Sequence, residues 1–308
     1  MSPAITSIDV ESLPRIATGK VRELFKLSDS TLLMGVTDRI SAYDEVLANG
    51  IPDKGEILCQ LSAHWFKVLA EKVPELKHHV LSLNPPEVVT PAERAVLRGR
   101  CMQIRSLKVF PIEVIVRGHI TGSAWSEYSK SGTVHGIPQP VGLQRSQAFP
   151  GGPIYTPSTK APAGEKDENI SPEAARKIVG DKWAGEIEKI ALKVYKAAYD
   201  YALERGIVLA DTKMEFGLDE EKDELILVDE VLTPDSSRFW PAPVNVGVDQ
   251  PSFDKQYLRD YLTSNGLKGK AGVVLPDNVV AETTKKYREV FQKLTGQTLE
   301  QALAALEQ

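Results

Sequence analysis

The chain has 308 residues, 42% of them hydrophobic and 26% charged, which suits a water-soluble globular protein with a core large enough for two or three subdomains. A formal net charge of -5 gives no field that would favour nucleic acid or an acidic membrane surface. Cys59 and Cys101 form neither a metal-ligand spacing nor a disulfide framework, and the first residues, MSPAITSIDVESLP, lack the basic and apolar regions of a signal peptide. No apolar run reaches the roughly 18 residues of a membrane span. These features predict a cytoplasmic protein with reduced thiols.

In chain order, KVRELFKL and TLLMGVT are strand-like runs separated by the turn signal SDS, and predict an antiparallel hairpin. The preceding ATGK stretch places Gly19 and Lys20 at the mouth of that hairpin, with Arg22 just beyond. A glycine turn between strands can lie over nucleotide phosphates, although the long Walker A spacing is absent and an ordinary loop is the plain alternative. TDRISAYD sets Asp38, Arg39, Ser41 and Asp44 after a strand, and Asp38 is a substrate-binding candidate there. GEILCQLSAHWFKVLAEKV is a helix, with Ile57, Leu58, Leu61, Trp65, Leu69 and Val73 at helical spacing and Pro74 ending it.

CMQIRSLKV and PIEVIVRG predict two further strands, with KVFPIE as a connector between lobes. VIVRGHITGSAW then ends a strand at Arg117 and enters a short helix closed by Gly132. Arg117 with Ser123 as a helix cap would make a phosphate or carboxylate pocket; a plain cap beside a surface arginine is the alternative. Residues 132 to 170 read as a long loop, in which Lys160, Lys166, Asp167 and Glu168 suit a lid over charged substrates, with a solvated linker as the plain alternative. Ser171 and Pro172 open a helix, a longer one follows from about Asp181 to Arg205, and Gly206 ends it. The tail from Asp254 is helical in pieces, with Asp277 and Thr298 as caps.

The segment VLADTKMEFG is the most informative. Side chains alternate along a strand, so Asp211, Lys213 and Glu215 share one face while Thr212, Met214 and Phe216 pack on the other. LILVDEVL is the returning strand after the polar turn DEEKDE. With the hairpin centred near Lys222, Glu215 faces Asp229 with Cβ atoms roughly 5 Å apart. Two adjacent carboxylates call for a cation between them, and magnesium takes one or two carboxylates plus phosphate oxygens. The expectation is a Mg-nucleotide seat on the hairpin, against the alternative of a surface strand with alternating charges. TPDSSRFW adds Arg238, a guanidinium able to fork onto a phosphate.

Taken in order, GKVRELF, TDRISAYD, PIEVIVRGHITGSAW, YTPSTKA, DENIS, LADTKMEFG and DEVLTPDSSRFW closely resemble the phosphoribosylaminoimidazole-succinocarboxamide synthase (SAICAR synthetase) family, from about residue 15 to about residue 262. PSFDKQYLRDYL and the helical tail resemble its longer, single-function form. The resemblance implies an α+β, ATP-grasp-like fold with two antiparallel-sheet lobes, flanking helices and a helical C-terminal extension. Residues 1–110 would form a nucleotide-binding lobe, 111–250 a catalytic lobe and 251–308 the extension.

It further implies an ATP- and Mg²⁺-dependent ligase joining carboxyaminoimidazole ribonucleotide (CAIR) to L-aspartate through an acyl phosphate. Lys20 and Arg22 would lie near ATP phosphates, with Gly19 in their turn. Glu215 and Asp229 would hold the metal and nucleotide, and Lys213 the phosphate. Arg117, Ser123 and Arg238 would hold CAIR, with Asp211 near its ring or ribose. Lys160 and Asp167 would sit on a mobile loop, and Asp211 or Asp167 would take the proton of the aspartate amine. Lys166 stands where relatives often have histidine. The partners would be small molecules only, in a monomer or small homo-oligomer. A small-molecule kinase and a non-catalytic nucleotide-binding protein are the rival readings.

Overall fold

The computed structural model describes residues 3–160 and 167–307. Lys166 lies outside the described residues. The fold is α+β, with antiparallel sheets and eight α-helices among the described residues.

The first sheet contains β1 (Arg15–Thr18), β2 (Arg22–Lys26) and β3 (Thr31–Val36); a two-stranded hairpin follows, β4 (Ser41–Ala42) and β5 (Glu45–Val46). Helix α1 (Lys54–Lys72), strand β6 (Val80–Ser82), helix α2 (Pro91–Leu97) and strand β7 (Cys101–Arg105) complete this half. The sheet order is β1-β2-β3-β7-β6, so the KVRELFKL/TLLMGVT hairpin forms as expected, with Arg22 opposite Val36.

The connector expected at KVFPIE is itself paired: β8 (Lys108–Val109) joins the second sheet beside Gly217 and Leu218. Strand β9 (Ile112–Arg117) and helix α3 (Gly122–Ser131) follow, and Gly132 ends α3 in a left-handed conformation at φ 71°. The stretch after it is not structureless. It carries the hairpin β10 (Thr133–Val134) and β11 (Ile137–Pro138), then β12 (Ile154–Tyr155) and β13 (Ser158–Thr159), both paired to β9. Pairs this short leave little periodicity to read.

Helix α4 (Pro172–Val179) is capped by Ser171, whose side chain accepts from the Ala174 amide. Helix α5 (Asp181–Leu203) buries Ile187, Ala191, Val194 and Ala198 against the sheet. That sheet is built around β14 (Ile207–Asp219), flanked by β9, β15 (Glu224–Val228) and β16 (Ser237–Pro241). Its apolar face packs as predicted, with Met214 and Phe216 in the main core.

The tail folds as α6 (Gln256–Ser264), α7 (Asp277–Thr295) and α8 (Leu299–Ala304). Thr298 caps α8 in a capping box with Gln301. At α7 the cap position is Pro276, and Asp277 is instead the acid of the first turn. Leu258, Leu262, Leu275 and Val279 share a core with Ile40, Leu47 and Ile51, so the extension is docked on the first half of the chain. Two lysines and a tyrosine reinforce that docking at one buried carboxylate. Asp235 receives Lys54 Nζ at 2.8 Å, Lys255 Nζ at 3.0 Å and the Tyr287 hydroxyl at 2.7 Å.

Candidate active site

The charged face of β14 is real, and every charge on it has a partner from another element. A bulge between Leu209 and Asp211 lets Asp211 oppose Arg117 on β9 and Arg238 on β16 at once. Its Oδ2 accepts from Arg117 Nη1 at 3.2 Å and Arg238 Nη1 at 2.5 Å. Two residues on, the Lys213 ammonium pairs with Glu113 and lies 3.8 Å from Glu215 Oε1. Glu215 in turn pairs with Lys160, which arrives from just beyond β13. A strip of alternating charge therefore runs along the sheet: arginines, aspartate, lysine, glutamate, lysine.

The register of the hairpin differs from expectation. Glu215 faces Val228, and Asp219 pairs with Glu224, so the ladder is offset by one residue from a hairpin centred at Lys222. The polar turn closes with Asp223 in a left-handed conformation, φ 54°, a choice of loop length that the composition of DEEKDE does not specify. Asp229 thus lies beyond β15 rather than in it. Its own φ of 62° turns it out of the ladder toward Arg22, which binds it at 2.8 Å and binds Glu230 at 2.6 Å.

Asp229 and Glu215 still act on each other. Burial raises the Asp229 pKa, Arg22, Lys213 and Lys160 oppose the rise, and the Glu215 charge adds to it. Burial likewise works against the Lys213 ammonium, but Glu113, Glu215 and Asp229 outweigh it and raise its pKa, so Lys213 stays a cation. Among the described residues no group of three or more acidic, histidine or cysteine side chains is arranged to hold a metal. Glu215 and Asp229 feel each other's charge, and hard carboxylate oxygens are the donor type that suits magnesium, which completes its shell with water and phosphate oxygens.

Arg117 is held from several sides. Nε donates to Thr156 Oγ1 at 3.1 Å, Nη2 reaches Ser123 Oγ at 3.3 Å, and His135 Nε2 is 3.4 Å away. Burial lowers the Arg117 pKa, Asp211 opposes this, and Arg238 adds to it: two guanidiniums share one carboxylate. Ser123 is not the helix cap; that position is Thr121, whose side chain makes no capping bond, and Ser123 lies inside the first turn.

Other predicted residues fall elsewhere. Asp38 is 1% exposed, and its oxygens accept the Ile5 and Gly55 amides and Arg100, which ties it into the surrounding backbone. Arg22 is engaged by Asp229 and Glu230. Lys20 is exposed, 2.8 Å from Asp44. Asp167 is exposed at the far end of the 161–166 segment, whose neighbour Glu168 donates its amide to Thr159 Oγ1. Sequence reasoning missed Glu113, although alternation from Arg117 along IEVIVR places it on the same face. Nothing in the sequence pointed to His135 or Glu230.

Comparison with known proteins now decides the family. The family model described as SAICAR synthetase matches residues 15–274. A phosphoribosylaminoimidazole-succinocarboxamide synthase from Pichia angusta is 52% identical over 294 residues, covering 93% of this chain and 96% of that one. The solved SAICAR-synthase from Saccharomyces cerevisiae, complexed with SAICAR, superposes with a TM-score of 0.87 at 47% identity, covering 96% of this chain and 99% of the other.

The chain belongs to the SAICAR synthetase family.

It is an ATP- and Mg²⁺-dependent carbon–nitrogen ligase that forms SAICAR from CAIR and L-aspartate in purine biosynthesis. Another SAICAR synthetase, solved in complex with ADP, superposes with a TM-score of 0.68 at 25% identity, covering 92% of this chain and 98% of that one. Among the described residues no helix is long and apolar enough to cross a membrane.

Proposed function

We propose that the charged face of β14 and the strand ends beside it carry the ligase reaction. The observation that supports this most directly is the strip itself: Asp211, Lys213 and Glu215 on one face, each tied to an opposite charge from a separate element. Bound polyanions would take over partners that these residues now give one another.

On this reading, Arg117, Arg238 and Ser123 hold the phosphoribosyl end of CAIR, with Asp211 setting the two guanidiniums. Glu215 and Asp229 would hold Mg²⁺, which supplies charge neutralisation on the ATP phosphates. The Gly19–Lys20 turn lies along those phosphates, and Arg22 orients Asp229. Lys213 and Lys160 neutralise charge on the γ-phosphoryl group as it passes to the CAIR carboxylate. The acyl phosphate so formed lets phosphate leave when the aspartate amine attacks. That amine must attack as the free base. Asp211 Oδ2 is engaged by two guanidiniums, which suits it to positioning; Asp211 and Asp167 are the two candidates to take the proton. The lid expected to keep water from the acyl phosphate falls on residues 161–166, outside the described residues.

The two sheets make an ATP-grasp-like pair on this view, with residues 1–110 the nucleotide lobe, 111–250 the catalytic lobe and 251–308 a docked extension. The enzyme works on small molecules in the cytoplasm, as a monomer or small homo-oligomer; its two buried free thiols are in keeping with a reducing compartment. The test is coupled ADP release with CAIR, ATP, Mg²⁺ and L-aspartate, omitting each in turn. Glu215→Gln and Lys213→Met should each lower kcat on the order of 10²–10³-fold. Parental kcat in either variant would overturn its assignment.

A further inference from the structure

Beneath the turn between β1 and β2, Arg39 directs two of its three guanidinium nitrogens at one short stretch of backbone and the third at Thr6 and Glu23. Nη2 donates to the Gly19 carbonyl at 2.9 Å and Nε to the Lys20 carbonyl at 3.1 Å. Nη1 donates to the Thr6 carbonyl and to Glu23 Oε1, each at 2.7 Å. Glu23 is 1% exposed, and its other oxygen accepts from Thr18 Oγ1 at 2.6 Å. The clamp is therefore itself fixed in place by a part-buried ion pair.

In a trans peptide the carbonyl of one residue and the N–H of the next point in opposite directions. Drawing the Gly19 and Lys20 carbonyls down onto Arg39 therefore turns the Lys20 and Val21 amides up and away from it. Neither amide donates to any group among the described residues. The next carbonyl, of Val21, is pinned by the Thr37 amide at 2.9 Å and its hydroxyl at 2.5 Å, which fixes the end of the turn. Two successive outward N–H groups make a small concavity for an anion.

We propose that Arg39 is a positioning residue for ATP. It orients the peptide planes of the turn so that the Lys20 and Val21 amides are preset to receive phosphate oxygens. This rests on the reading that the Gly19–Lys20 turn lies along the ATP phosphates. A preset turn saves the ordering cost that a loose loop would incur on binding. Lysine cannot replace the clamp, because a single ammonium lacks the planar fork that holds two adjacent carbonyls in fixed directions.

The experiment compares the parent, Arg39→Lys and Lys20→Met by calorimetric titration with ATP, with adenosine and with CAIR. Amide shifts of Lys20 and Val21 are followed in ¹⁵N-labelled parent as ATP is added. Arg39→Lys is expected to weaken ATP binding roughly tenfold, the scale of one or two charge-assisted hydrogen bonds. Adenosine and CAIR should bind as in the parent. In the parent both amides should shift with ATP. Equal weakening toward ATP and CAIR, or unchanged ATP affinity in Arg39→Lys while the parent amides respond, overturns the role of Arg39. Silent parent amides together with parental ATP affinity in Lys20→Met overturn instead the placement of the turn at the phosphates. If Arg39→Lys does not fold, Glu23→Gln keeps the guanidinium but loosens it. Weaker ATP binding with unchanged CAIR binding is then the expected result, and parental ATP affinity overturns the proposal.

Discussion

Replacing Asp211 by asparagine removes the one carboxylate that two guanidiniums share, at nearly constant shape. Asp211 Oδ2 lies 3.2 Å from Arg117 Nη1 and 2.5 Å from Arg238 Nη1. With charge centres about 4 Å apart and an effective dielectric constant of about 20, each pair has a gross attraction of about 4 kcal/mol. Breaking a buried pair typically costs about 3–5 kcal/mol. The Arg238 side chain is 24% exposed, and asparagine retains an acceptor, so a net loss of about 2–3 kcal/mol is expected. For a chain of 308 residues that is a fall in unfolding temperature of roughly 3–5 °C.

The two arginines, left without their counter-charge, would then depend on an external anion. Thermal unfolding is measured in chloride and in sulfate at matched ionic strength, for parent and variant. Sulfate stabilises most proteins by exclusion from their surface, so the informative quantity is the difference between the two proteins. The variant should gain more from sulfate than the parent does. An Asp211→Asn protein that unfolds at the parental temperature in chloride would refute the reasoning. So would one that gains no more than the parent from sulfate, since the arginines would then form no anion pocket.

Acid sensitivity should trace in part to His79. Burial pushes its pKa down to about 3, with His78 and Arg22 acting in the same direction, while a backbone hydrogen bond at Asp229 opposes them. The folded value lies below the unfolded one of about 6.5, so the unfolded chain binds the proton first. Stability from the neutral ring is complete above that pH and lost as pH falls toward 3. His79→Leu should show a shallower loss between pH 7 and 4.5 in guanidinium titrations, with some slope remaining from His64, which burial pushes down to about 4. Gly118→Ala would drive a methyl group into the Tyr195 hydroxyl, which bonds the Leu209 carbonyl at 2.5 Å. A loss of about 1–3 kcal/mol is expected, and Tyr195→Phe added to it should restore part of that loss; simple additivity would argue against the clash. Tyr287→Phe removes a hydrogen bond to the buried Asp235 and should cost about 1–2 kcal/mol in urea unfolding, loosening the C-terminal extension first in hydrogen exchange.

The sequence by itself determined whatever depends on a residue and its near neighbours. Alternation along VLADTKMEFG placed Asp211, Lys213 and Glu215 on one face and Met214 and Phe216 in the core, because the period of a strand is local. Helical spacing gave α1 and α5, and Ser171, Thr298 and Gly132 marked helix ends through backbone bonds within a few residues. The ordered motifs were specific enough to indicate the family.

What only the tertiary structure decided is which distant groups satisfy those charges. Arg22 and Asp229 meet across 207 residues, and Lys160 reaches Glu215 from the far side of β13. Asp38 looked available in its motif, yet folding closes the Ile5 and Gly55 amides and Arg100 around it. The hairpin register slipped by one residue because a polar turn can close at more than one length. A turn's composition does not fix that length; the packing of both strands against the rest of the core does.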